Sequence, residues 1–270
     1  DEIKSPTQTV WVKLWAFRGV TNIKLSSNRL SATQEMQAAK TISDQLLKGK
    51  EWPWWVQFRA LEALTALRQG YLTNSPRTVD MAAAAFQYLI DDKLRPEVRA
   101  EAARALGSMQ ITTAVPKFNF ELTAYATAQL GSALADRIAE GYSENPTRAL
   151  ELATLLSLPV YQAFEGQPGV RDSGLMNNTA VANKAEVQKY FDALKPVAKA
   201  AAALCSNAPA GQIPALNADL KDKAAKFKDF LAKSAPADSA LFPGGPTYAA
   251  PAGGAAPQQA EAAGEPRRGQ

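Results

Sequence analysis

The chain has 270 residues, 46% of them apolar and 21% charged, enough to bury a sizeable core and far from the composition of a disordered polymer. It contains no histidine and a single cysteine, Cys205. That excludes Ser-His and Cys-His nucleophile pairs, an internal disulfide, and nearly all zinc and haem ligation. The net charge is +4, yet 15 Lys/Arg face 11 Asp/Glu in residues 1–110, 13 face 12 in 111–235, and 2 face 3 in 236–270. No basic block of the kind that tracks a nucleic-acid backbone stands out. No apolar run approaches the 18–20 residues of a membrane span. The first residue is Asp, which is compatible with a processed, exported chain or with a piece of a longer one.

Helix start signals recur along the chain. Ser31 with Gln34 forms a capping box, and Ser75-Pro76 and Asn145-Pro146 each join a capping side chain to a proline suited to the first helical position. Pro53 and Pro96 stand ahead of further apolar-periodic stretches. Caps and periodicity together predict helices over about 8–24, 31–48, 53–70, 76–91, 96–110, 119–142, 146–164, 183–206 and 213–234. The run from Val10 to Phe17 alternates weakly but continues with helical spacing through Val20 and Ile23, so it reads as helix. Short links between such helices imply antiparallel neighbours.

In the helix after Pro53, Trp54, Phe58, Leu61, Leu64 and Leu67 form a broad stripe that Val56, Ala60 and Ala63 widen, so this helix requires neighbours on more than one side. The small residues from Met81 to Ala85 favour close helix approach in the next. Phe17-Arg18, Phe58-Arg59 and Val98-Arg99 recur 41 and 40 residues apart, as a repeated helix pair would place them. The segment Pro96 to Gly107, PEVRAEAARALG, resembles the first helix of a HEAT repeat, and VKLWAFRGVTNI and WVQFRALEAL look like weaker copies. The resemblance covers residues 8–110 and fades over 111–164. It implies an all-α fold, an α-solenoid of three to four HEAT-like helix pairs plus a C-terminal helical hairpin. Arg18, Arg59 and Arg99 would then be equivalent structural positions in a polar ladder between repeats.

The domain organisation that follows is a repeat region over 1–165, a loop or hinge over 166–182, a helical hairpin over 183–235 and a tail over 236–270. The loop is rich in Gly, Asn, Asp and Ser. The hairpin carries Leu216, Leu220, Ala224, Phe227 and Leu231 on one face, and two helices alone bury too little surface to stand free. The tail holds 22 Ala, Gly or Pro in 35 residues, a composition expected to stay disordered.

Each candidate site has a plainer reading beside it. Trp52, Trp54 and Trp55 could form a stacking platform, but read better as core and cap residues at a junction or an end of the stack. Asp91-Asp92 lacks the spacing of a calcium loop and reads as a solvated helix end. The lysines of 221–233 are interrupted by Asp222 and Asp229, with Asp219 just ahead of them, which argues against a membrane-docking face. Cys205 reads as a small apolar filler in an Ala-rich helix. Glu62 and Glu101 are carboxylates that an all-α enzyme could use, but no phosphate-binding or nucleophile motif accompanies them, and no catalytic, cofactor or metal residues are assigned.

The expected function is therefore a non-enzymatic scaffold that binds another protein or an extended peptide segment. No specific nucleic acid and no cofactor are expected. Two alternatives stay open: a structural subunit of a larger assembly, marked by an apolar patch at a stack end, and an all-α enzyme, marked by buried acids in a deep pocket.

Overall fold

The computed structural model describes residues 9–27, 30–72, 79–113, 115, 117–182, 184–206 and 209–248. They are helical almost throughout: α1 (Val10–Ser27), α2 (Ala32–Lys48), α3 (Trp54–Leu67), α4 (Asp80–Ile90), α5 (Pro96–Ser108), α6 (Phe120–Gly141), α7 (Pro146–Leu155), α8 (Tyr161–Glu165), α9 (Lys184–Cys205) and α10 (Ile213–Lys233). Among the described residues no strand forms, only isolated bridges between Gln69 and Gln110 and between Ala240 and Thr247.

The caps explain several boundaries. The Ser31 hydroxyl accepts from the Gln34 amide while the Gln34 side chain accepts from the Ser31 amide, which satisfies orphan donors at both sites. Asn145 accepts from the Arg148 amide, with Pro146 in the first turn. The cap expected at Ser75-Pro76 lies outside the described residues, and α4 is helical from Asp80. The single helix expected over 146–164 is divided. Pro159 has no N–H to give, and the chain widens into a π-turn over Leu156–Val160 before α8 resumes.

Helix α3 is flanked by α1 on one side and α5 on the other, while α4 packs on α2 and α5, and α2 on α3. Helix α6 packs on α7, α9 and α10, so the C-terminal hairpin completes the body through Leu220, Ala224, Phe227 and Leu231, all buried. Alanines at 60, 63, 82, 84, 85, 100, 102, 103 and 105 are fully buried and allow the close spacing. At Gly107 the helices α5 and α8 approach closely, because a Cβ there would stand 2.2 Å from the Ala163 carbonyl oxygen. Tyr88 is buried among these helices and donates its hydroxyl to the Leu46 carbonyl at 2.8 Å.

The loop over 166–182 is built into the body. Gly174 donates to the Gly107 carbonyl at 2.7 Å, Gln167 to the Ser108 hydroxyl, and Asn178 to the Met109 carbonyl, so it caps the C-terminal end of α5. Arg68, left-handed at φ 60°, joins in through the Ser108 and Arg171 carbonyls.

The expectation of a disordered tail from residue 236 is corrected for residues 236–248. They form a strap against the start of α6: the Asn119 amide donates to the Leu241 carbonyl at 2.8 Å, and its side-chain amide donates to the carbonyls of Asp238 and Ala240 at 3.1 Å. Leu241 is fully buried, and Phe242 and Tyr248 pack on the core. Three anchoring side chains outweigh a composition that argues for disorder. Residues 249–270 lie outside the described residues.

Candidate functional site

Helix α1 carries apolar residues on all sides, the pattern of a helix packed between neighbours. One side is occupied. Phe17 is fully buried against α3 and lies 6.1 Å from the Trp52 ring. Polar links tie the same helix to α2: Lys24 pairs with Glu35, and Lys13 reaches Gln45 while its ammonium lies 5.5 Å from the Trp52 ring centre.

Among the described residues the opposite side is open. Trp11 is 62% exposed, Trp15 61%, Leu25 72% and Ile23 44%. Trp11 leans on Trp55 of α3 in a stacked pair at 4.7 Å, so the aromatic surface continues onto that helix. A full Trp side chain amounts to as much as about 250 Å², so Trp11 and Trp15 together expose about 300 Å², within the range of the largest apolar patch on an ordinary monomer. At about 25 cal/mol per Å² this exposure forgoes roughly 8 kcal/mol of gross hydrophobic stabilisation, comparable with the freedom two proteins lose on associating.

Two arginines stack on exposed indoles here. The Arg18 guanidinium lies 4.9 Å from the Trp15 ring centre and that of Arg95 4.7 Å from the Trp54 ring centre, both within cation–π range. Arg18 is itself exposed.

The residues singled out in the sequence are placed as follows. Trp52 and Trp55 are half-buried and meet Phe17 and Trp11 of α1, whereas Trp54 is more open and lies against Arg95 just ahead of α5. Arg18, Arg59 and Arg99 have three different environments. Arg18 rests on Trp15, Arg59 pairs with Glu62 of its own helix at 2.6 Å, and Arg99 donates to the Leu89 carbonyl at the end of α4 at 2.9 Å. The polar ladder implied by the repeat resemblance does not appear in these contacts. Arg99 lies close enough to Tyr248 of the strap for the two to influence each other's ionisation. Burial lowers the pKa of its guanidinium, with Tyr248 and Asp92 acting the other way. The Tyr248 phenol is pushed up to about 12, mainly by burial and against the pull of Arg99.

Glu101 is 2% exposed and accepts from Thr65 at 2.7 Å and from Arg104 at 2.8 Å. Burial raises its pKa, and the Arg104 charge and hydrogen bonds do not cancel that effect. Glu62 lies close enough to add to the rise but is held by Arg59. Neither acid lines the cleft of about 560 Å³ between α6 and α7 or the groove of about 550 Å³ along α2.

Asp91 accepts from the Lys93 amide at the end of α4, as a solvated helix end would. Lys223, Lys226 and Lys228 pair with Asp219, Asp222 and Asp136. Cys205 is exposed at the end of α9, which corrects its reading as a buried filler. Among the described residues no group of three potential metal ligands forms and no helix is long and apolar enough to cross a membrane. No protein family, curated protein or solved structure matches the chain.

Proposed function

We propose that this chain is a non-enzymatic interaction protein, a subunit that joins a partner protein through the open side of α1. The observation that carries the reading is the exposure of Trp11, Trp15 and Leu25 on a helix whose other side is already packed. A helix with apolar residues all round and, among the described residues, one covered side is half of a helix–helix contact. The alternation of α1, α3 and α5 in one row and α2 and α4 in another supports a short HEAT-like solenoid as the scaffold, with α1 at its end. Coverage of that end by a partner is then the same kind of packing that joins one helix pair to the next.

The strap favours a second reading, in which the body also binds extended segments. A peptide-like stretch whose carbonyls are held by the backbone and side-chain amides of Asn119, with Leu241 buried, is the kind of ligand a helical stack takes. It concerns a different surface and leaves the first reading intact.

The test is recovery of the native complex with wild-type chain and with a Trp11→Ala/Trp15→Ala variant, each checked for an unchanged helical spectrum. A stoichiometric partner lost only from the variant supports the reading. A partner held equally by both, or none with either, refutes it.

A further inference from the structure

We infer that the open side of α1 is the seat of an acidic amphipathic helix on the partner protein. This rests on the interface reading above and adds the element that covers it. Trp11, Trp15, Arg18, Asn22 and Leu25 follow one another at intervals of 4, 3, 4 and 3 residues, the spacing of knobs that a second helix receives side by side. All five are exposed. Beside this ridge a Cβ on Gly19 would meet nothing within 4 Å, so with Ala16 it forms a shallow trough in which a partner ridge can lie. The row α1, α3, α5 is itself helix against helix, and a further helix continues it on its open side.

Charge selects the kind of helix. Helix α1 carries Lys13, Arg18 and Lys24 and no Asp or Glu. Lys24 and Lys13 are turned to α2 and to Trp52 ahead of α3, which leaves Arg18 as the charge in the middle of the open stripe. A guanidinium resting over an indole keeps donors for a carboxylate, the partner its fork matches best. The same charge disfavours a second copy of this chain, because an antiparallel pairing of the stripe about its middle sets Arg18 against Arg18. It also disfavours a lipid surface, which suits cations at the rim of an apolar face, whereas Arg18 and the amide of Asn22 interrupt this one at its centre.

The test uses the full chain and two synthetic helical peptides of three heptads, one with Leu at the facing positions and Glu beside them, the other with Lys in place of Glu. Binding is read by calorimetry, with vesicles of 30% phosphatidylserine and analytical sedimentation in parallel. The acidic peptide is expected to bind at least ten-fold more tightly than the basic one. Arg18→Glu, a change at an exposed position, should reverse that preference, and Trp15→Ala should weaken both. Failure of the acidic peptide to bind at millimolar concentration, equal binding of the two peptides, or an unchanged preference in Arg18→Glu overturns the inference. So does wild-type binding to vesicles instead of peptide, or self-association that Trp15→Ala abolishes. If the native partner is lost with the Trp11/Trp15 double variant but held by Arg18→Glu, the acidic-helix assignment alone falls. If the double variant retains the partner, the interface reading falls with it.

Discussion

Removing the methyl groups of Leu241 should release the strap. The side chain is fully buried, and Leu→Ala at such sites costs 2–5 kcal/mol depending on how far the cavity collapses. A central value of about 3 kcal/mol, at roughly 2–4 °C per kcal/mol for a body of this size, lowers the melting temperature by about 6–12 °C. The loss is capped by the free energy with which the strap docks, since a released strap has nothing more to lose. A chain ending at Ala235 should therefore fall at least as far as Leu241→Ala when compared with a chain ending at Tyr248. Calorimetry gives the melting temperatures, and hydrogen exchange gives the local effect: the Asn119 amide, bonded to the Leu241 carbonyl, should lose protection before the amides inside α6. Melting temperatures of the chains ending at 235 and 248 that agree within about 1 °C would show that the strap contributes nothing, against the reasoning from burial.

Three further outcomes follow from the packing. Gly107→Ala places a methyl 2.2 Å from the Ala163 carbonyl oxygen and should destabilise by about 1–3 kcal/mol in urea unfolding, because backbone rather than a flexible side chain must yield. Arg104→Ala strips the buried Glu101 carboxylate of its cation and should cost about 3–5 kcal/mol at neutral pH. The pKa of Glu101 is raised in the folded chain, so the native state binds more protons than the unfolded one above the ordinary carboxylate range, and stability falls as pH rises through that window. The deficit of Arg104→Ala should accordingly shrink on lowering the pH toward 5, as measured by denaturation at several pH values. The Tyr248 phenol should ionise near about 12 in a difference titration of wild type against Tyr248→Phe. In Leu241→Ala it should move back toward the ordinary tyrosine value of about 10, since the folded value is the raised one and docking weakens as pH rises above 10.

Much of the helix pattern was legible because it is local. The Ser31–Gln34 box and the Asn145-Pro146 start are short-range devices, and each caps the helix it announces. The π-turn at Leu156–Val160 followed from Pro159, a residue visible in the sequence, but the apolar periodicity runs through it unbroken and hides the division. The strap was missed because composition averages over 35 residues, whereas docking depends on Leu241, Phe242 and Tyr248. The arginine spacing marks the three successive odd helices α1, α3 and α5, yet Arg18, Arg59 and Arg99 make unrelated contacts, because each side chain answers to its own surroundings. The open side of α1 could not be read at all, since periodicity shows that a helix has apolar residues all round without showing which neighbours are present. The absence of acids in α1 and the 4-3-4-3 spacing of Trp11, Trp15, Arg18, Asn22 and Leu25 acquire meaning only once the packed side of the helix is known.

The most direct test of the interface places a photo-crosslinking amino acid at position 15 and, as a control, at Asp222 on the exposed face of α10, with irradiation in the native cell. A discrete covalent adduct from position 15, absent from position 222 and mapping to an acidic helix of the joined protein, is the predicted result. No adduct at position 15, or the same adducts from both positions, would contradict the claim that α1 is where this chain meets its partner.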